Sequence, residues 1–439
     1  MKGRYLTINT VIRKYQVEIN RTDHLERLNG YQLLDETEWH TAQAVVDFSN
    51  AVRKGFPEAR ITWALSWQAL TDQTDRYEEI RWVLNKIHNE FGDDVTYIPS
   101  GYFANVYNTR EQINKDISEA LNRISDFMGG YRPKSLIAGF LSSDNIEYAS
   151  IREGITAVQG NIWSQFEVDG QDGEGSIAYP YYPSKQHFCK PAQDKADFID
   201  CLNFDGWTVD FIAGRISNEY WKDGVRYCSR MGVGPLETLQ TFGVEKGLKQ
   251  MKHSANVHYC DENLQNNPFV WVTNNYEIGE MNRWKPKGCL DGFSRWIAWI
   301  KDTWPDVQCP TLANLAYELK KEHKNNDSLN YMFYQKGSGI GASFAEQEAV
   351  WIMNKKLRMG LLKEKDRIYM YDLTEYTKNY SEPQGMENRN WSILGAINQK
   401  QTRTQDKLLL LENFSRWLEE NNCLSLQEKS FIADKLRVG

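Results

Sequence analysis

Several common routes to a function are closed by what this chain lacks. Its seven cysteines, at 189, 201, 228, 260, 289, 309 and 423, are scattered and odd in number, with no CxxC pair. That spacing excludes a disulfide framework and a zinc ribbon, and fits reduced, mostly buried thiols. The seven histidines form no HxxxH or HExxH motif; His253 and His258 are five apart and fall on different faces of a helix. No apolar run approaches the ~20 residues that would cross a bilayer. Charge offers no footprint for nucleic acid either, because 52 basic residues against 59 acidic ones leave a net −7. There is no internal repeat and no low-complexity tract, which excludes a solenoid. The opening "MKGRYLTINTVI" shows no secretory leader. The expected compartment is therefore cytoplasmic, or periplasmic or extracellular where a leader has been removed.

Aromatic residues, by contrast, are abundant, with 15 Trp and 23 Tyr. In an acidic globular protein such a surplus suits sugar faces, which stack on indole and phenol rings. Strand-like and helix-like segments alternate over the first 300 residues or so. "RYLTINTVI" (4–12), "RITWALSW" (60–67), "DVTYIPSGYF", "KSLIAGFLSS" (134–143), "ITAVQGNIWSQ" (155–165), "GWTVDFIAG" (206–214) and "PFVWVTNNYEIG" (268–279) read as strands. Between them, helical spacing predicts helices over 36–53, from Tyr77 to Gly92, from Thr109 to Gly129-Gly130, near 145–153, around 235–252 and over 291–304. This order predicts an α/β fold, a (β/α) barrel of seven or eight strands, distorted by a long insertion at about 165–205. The barrel is expected to span 1–308. A smaller β-rich or α+β domain with a helical tail follows over 309–439.

Functional side chains of such a barrel gather at the carboxyl ends of the strands. That rule nominates Asn9 and Arg13, Trp67, Tyr102, Asp144 and Asn145, Trp163 and Gln165, and Asn274 and Asn275 for substrate binding. The set is amide-rich and aromatic, which suits a glycan or another polyhydroxylated ligand and implies no cofactor or metal. Glu277, in "VTNNYEIGE", is the leading general acid or base, with Asp205, Asp210 or Glu237 as its partner carboxylate. Turn chemistry, with Asn275 and Gly279 supplying unusual backbone angles, is the competing explanation of that stretch. The prolines of "YPYYPSKQHFCKP" (179–191) stiffen a loop expected to form an aromatic wall through Tyr181 and Tyr182, with His187 as a polar contact. A metal site built on His187 and Cys189 is a third reading. The glycine stretch "KGSGIGAS" (336–343) fits a turn better than a nucleotide loop, since no second mononucleotide half follows.

The stretch "YRPKSLIAGFLSSDN" followed by "REGITAVQGN" resembles the middle of the polysaccharide deacetylase superfamily, with Arg132, Pro133 and Asn145 at matching positions. The metal-bearing Asp pair of that superfamily is replaced by Asn9 and Thr10, and its histidine pair by "PSGYFANVYNT". At whole-chain level, "NTVIRKYQVEINRT", "SRMGVGPLET" and "WSILGAINQKQTR" resemble a two-domain family of gut Bacteroidetes. That resemblance implies a glycoside hydrolase/deacetylase-like barrel followed by a small β-rich domain, in a setting of glycan use. Three readings follow: a glycoside hydrolase, a barrel that binds glycans without turnover, and an unconventional metal-dependent hydrolase or deacetylase.

Overall fold

The structure is a computed structural model that describes residues 2–15, 18, 35–102, 104–161, 175–208, 210–215, 220–222, 225–227, 235–384, 391–393 and 409–437. Strand β1 (Arg4–Ile12) is buried along its whole length, as its β-branched and apolar sequence predicts for a central parallel strand. It is followed by β2 (Ile61–Leu65), β3 (Asp94–Tyr97), β4 (Ser135–Ile137), β5 (Ala157–Asn161) and β6 (Leu202–Asp205). A short antiparallel pair, β7 (Tyr220–Lys222) and β8 (Val225–Tyr227), precedes β9 (Val270–Glu277).

The parallel strands form two arcs, ordered β3-β2-β1-β9 and β4-β5-β6. Side chains join the arcs at both seams. Thr96 donates to the Ser135 carbonyl, and Ser135 Oγ donates to Asp94 Oδ2 at 2.9 Å. On the other side, just past β6, Thr208 Oγ1 donates to the Thr273 carbonyl at 3.0 Å and accepts from Thr273 N at 2.7 Å. Helix 312–322 covers the amino-terminal end, with Leu312 N donating to Thr62 Oγ1 at 3.0 Å and Leu312, Leu315 and Leu319 buried.

Local sequence explains most helix limits. Thr109 caps the helix 110–127 by accepting from Gln112 N, and Gly92, at φ 71°, stops the helix 75–91. The segment expected to be helical from 36 begins at Ala42 instead, capped by Thr41; residues 36–40 form a turn. Of the strand expected over 206–214, the described residues give only an isolated bridge of Trp207 to Asn274, then a turn and a 3-10 helix from Ala213, where Asp210 Oδ1 captures the backbone N–H groups of Ile212 and Ala213.

The carboxyl-terminal part holds an antiparallel sheet ordered β10 (Tyr331–Lys336), β11 (Gln347–Met353), β12 (Leu357–Glu364), β13 (Arg367–Glu375) and β14 (Leu409–Leu410). Strand alternation gives it two apolar faces. Tyr331, Phe333, Ala349, Trp351 and Met353 join the core of the parallel region, while Met332, Val350 and Ile352 pack with Leu418, Phe431 and Ile432 of the terminal helices. The "KGSGIGAS" stretch is the β10–β11 connection; its Gly339 and Gly341 adopt φ of 76° and 58°, so the glycines serve a turn.

Candidate functional site

The eight residues of β9 divide by parity. Trp271 donates its Nε1 to Thr7 Oγ1 at 2.9 Å, and Thr273 Oγ1 accepts from Asn9 Nδ2 at 3.3 Å. Asn275 and Glu277 share that inward side, and Asn275 lies in register with Asn9 of β1. Tyr276 points the other way, its ring 4.4 Å from Phe293 and 5.3 Å from Phe48 on the flanking helices. Asn274 shares the Tyr276 side and is buried there, so it does not line the interior beside Glu277. Neither Asn275 nor Gly279 has a positive φ, and turn chemistry is therefore not what this stretch encodes. Gly279 answers a packing demand instead: a Cβ there would stand 2.6 Å from His40 Nε2.

Glu277 meets a buried charge cluster. Arg13, just past β1, donates Nε to Glu36 Oε2 at 2.8 Å and Nη2 to Glu36 Oε1 at 3.0 Å. Its Nη2 also lies 3.0 Å from Glu277 Oε2. Burial opposes the Arg13 charge, but Glu277 and Glu36 together raise its affinity for a proton. Glu36 is held down at about 2; burial pushes its carboxyl up, and Arg13 and His40 outweigh that. Burial lowers His40 against the pull of Glu36, so its ring is neutral, with Nε2 3.3 Å from Glu36 Oε2.

Glu277 moves in the opposite direction. Crowding by protein atoms is the largest cause; Arg13 pulls the carboxyl down, while Glu36, Glu237 and Glu280 push it up, for a result of about 7. Arg13 also binds Glu36 through two contacts, and the Glu36 charge repels that of Glu277 across it. The Glu277 side chain keeps 41% of its surface open, enough to reach a ligand and enough for solvent to moderate the shift. Glu237, half-buried in the first turn of helix 235–259, is the candidate partner whose charge Glu277 feels. A carboxyl that exchanges its proton near neutrality beside a second carboxylate is equipped for general acid–base chemistry.

Other nominated residues are placed elsewhere. Asp205 is buried and accepts from Trp207 N at 3.0 Å, closing the turn after β6. Asp210 is fully buried and accepts four hydrogen bonds, from Ile212 N, Ala213 N, Gln250 Nε2 and Gln335 Nε2, at 3.1, 3.0, 2.7 and 2.6 Å. It joins helix 235–259 to the antiparallel sheet, and both oxygens are occupied, so it is a joint and not a partner for Glu277. Trp67 is buried in the first turn of helix 67–71, with the Arg123 guanidinium 5.4 Å from its ring, and offers no open stacking face. Asn145 is saturated: Nδ2 donates to the Arg110 carbonyl and Asn114 Oδ1, and Oδ1 accepts from Ser142 Oγ. Asp144 is exposed and paired with Arg110 at 3.0 Å. The side chain of Tyr102, and the whole of Trp163 and Gln165, lie outside the described residues.

The "YPYYPSKQHFCKP" loop corrects the expectation of an aromatic wall. Tyr181 and Tyr182 are buried, their hydroxyls donating to the carbonyls of Phe188 and His323, each at 2.6 Å. Tyr331 OH donates to the Pro180 carbonyl at 2.7 Å, and the Tyr179 ring lies 4.8 Å from Phe333. The loop is a wedge between the parallel strands and the antiparallel sheet, and its rings are spent on the core. His187 is enclosed; burial and the Arg110 and Lys190 charges lower it to about 3, and its Nδ1 accepts from Cys189 N. A neutral ring already engaged by its neighbour is no free polar contact.

Sequence reasoning missed Glu36, His40 and Glu382. Glu382 is buried, and its carboxylate accepts from Ser143 N, Phe188 N and Arg110, tying the distal segment to the carboxyl end of β4. The Glu-x-x-x-His spacing of Glu36 and His40 is present in the sequence, but nothing local ties that pair to Arg13. Nothing local in the sequence marks Glu382.

Parallel strands wrapped by helices, joined to an antiparallel sheet, with a carboxyl cluster at the strand ends, define an α/β protein of glycoside hydrolase/deacetylase-like architecture. A protein of Parabacteroides distasonis, described with its crystal structure as a proposed glycoside hydrolase/deacetylase, is 36% identical over 98% of this chain and 97% of its own, with a TM-score of 0.87. The chain belongs to the DUF3863 family, a domain of unknown function with a solved structure, whose model matches residues 1–353; the DUF3864 model matches residues 358–425. Remoter likenesses include a proposed polysaccharide deacetylase from Mycobacterium smegmatis, 9% identical over 73% of this chain and 92% of that one, at a TM-score of 0.43. A GH57 branching enzyme from Thermococcus kodakaraensis is 11% identical over 72% and 71%, at 0.39. No curated protein matches the sequence.

Proposed function

We propose that this chain is a carbohydrate-active hydrolase that cleaves a glycan at the carboxyl end of its parallel strands, with Glu277 as the proton-carrying group and Glu237 as the second carboxylate. One observation carries the reading. Glu277 combines an open face with a carboxyl pushed up to about 7, so it holds a proton where an ordinary carboxyl has lost it. In the proposed reaction Glu277 gives its proton to the departing glycosidic oxygen. Glu237 either attacks the sugar carbon or activates the water that does, and the separation of the two carboxyl groups decides between these outcomes. Asn275, half-buried on the same side of β9 as Glu277, is proposed to hold a sugar hydroxyl, and the fully buried Asn9 beside it to support that strand through Thr273. The name given to the Parabacteroides relative points to the same class of substrate.

The test is a panel of glycans, O-acetylated ones included, assayed separately for released reducing ends and released acetate. Reducing ends formed by the wild type and lost in Glu277→Gln support the glycosidase. Acetate alone would move the reaction to an acyl bond. Tight binding without either product would favour the non-catalytic glycan-binding barrel.

A further inference from the structure

The carboxylate that faces Glu277 across Arg13 never meets solvent, yet it is held by three separate contacts. Glu36 binds Arg13 through both oxygens and lies beside His40, and Arg13 reaches on to Glu277. His40 Nδ1 has no hydrogen-bond partner among the described residues, so the assignment that leaves no buried donor orphaned puts the ring proton on Nε2, donating to Glu36. Gly279, two residues past Glu277, leaves the space this ring fills. An element built this closely around a buried anion fixes where that anion's charge sits. We propose that Glu36 is a positioning residue that sets the proton occupancy of Glu277 by neutralising Arg13, with His40 and Gly279 holding it in place.

With Glu36 ionised, the Arg13–Glu36 pair is neutral, and Glu277 adds an unmatched negative charge whenever it loses its proton. With Glu36 uncharged, Arg13 would be a buried cation 3.0 Å from Glu277, with Glu18 as the other carboxyl it feels, and Glu277 would be held ionised more strongly. The other charged groups felt by Glu277 are Glu237, on helix 235–259, and Glu280, on helix 278–283 after β9. Arg13 itself feels Glu277, Glu36 and Glu18, and the Glu18 oxygens are already taken by Ser66 Oγ and the N–H groups of Lys14, Tyr15 and Gln68, so Glu36 is the counter-ion bound to both Arg13 nitrogens. Glu36 thereby acts through Arg13 and touches no substrate.

This inference rests on Glu277 being the working carboxyl, but its test needs no substrate. The experiment is an NMR titration of the full chain labelled with 13Cδ-glutamate, in which the Glu277 signal is identified by its loss in Glu277→Gln. The expected result is that Glu36→Gln lowers the Glu277 midpoint by about one pH unit or more, because Arg13 loses its bound counter-ion. In the double variant Arg13→Met/Glu36→Gln both buried charges are gone together, and the midpoint is expected within about half a unit of wild type. The double variant also carries the test where Glu36→Gln alone does not fold. An unchanged midpoint in folded Glu36→Gln would overturn the proposal, as would a rise of more than about one unit in the double variant. A glycan panel without turnover would sink the hydrolase reading and leave this titration intact.

Discussion

Asp210 is the residue whose role changed most between sequence and structure, and its replacement makes a quantitative test. Asp210→Ala removes the acceptor for two backbone N–H groups and two side-chain amides, all with buried partners. At about 1 kcal/mol for each group left unmade, the loss is about 4 kcal/mol, a large share of the ~5–15 kcal/mol typical of whole domains. Asp210→Asn keeps the Oδ1 contacts but turns an N–H toward Gln250 Nε2, so about 1–2 kcal/mol is expected. Urea unfolding followed by tryptophan fluorescence reads both, as a fall in midpoint with little change in slope. Because Gln335 belongs to β10 and Gln250 to helix 235–259, both regions should loosen together. Either folded variant keeping wild-type stability while losing turnover would refute this reasoning and return Asp210 to the chemistry.

Two further outcomes are expected. Gly279→Ala places a Cβ against the His40 ring, so it should destabilise by about 1–3 kcal/mol and displace the His40 ring signals in an NMR spectrum; unaltered His40 signals would contradict the packing described. The pH dependence of stability should carry two opposite contributions. Glu277, raised from 4.5 to about 7, keeps a proton in the folded state that the unfolded chain has released, so its contribution is full below pH 4.5 and is lost as pH rises through 7. Glu36, lowered from 4.5 to about 2, contributes above 4.5 and loses that contribution as pH falls toward 2. Denaturation midpoints measured across this range should therefore decline less steeply above pH 4.5 in Glu277→Gln than in wild type, and equal slopes would refute the assignment.

The parallel strands and their helices were legible because strand and helix periods are local properties. β1, the capped helix after Thr109 and the stop at Gly92 all follow from neighbouring residues. The site was legible only in part. Glu277 and Arg13 sit where the strand-end rule places them, and Glu237 reaches Glu277 through its charge. Tyr181, Tyr182 and Trp67 went astray because an aromatic that stacks on sugar and one that fills a core have the same local sequence; only the packing of a distant sheet decides. Asn274 was misplaced by parity, since Asn275 and Glu277 take the inward side and leave it among the helices. Nothing local ties Glu36 to Arg13, and Glu382 acts from the far end of the chain, beyond any local pattern.

The central claim is that Glu277 carries the proton of a glycan-cleaving reaction. It is tested most directly by kcat/KM of wild type and Glu277→Gln on the best substrate of the panel, with binding of the same glycan measured in parallel. A loss of about 10²–10⁴-fold is expected in Glu277→Gln, concentrated in kcat, with binding nearly unchanged. A Glu277→Gln variant that turns over glycan at the wild-type rate would contradict it.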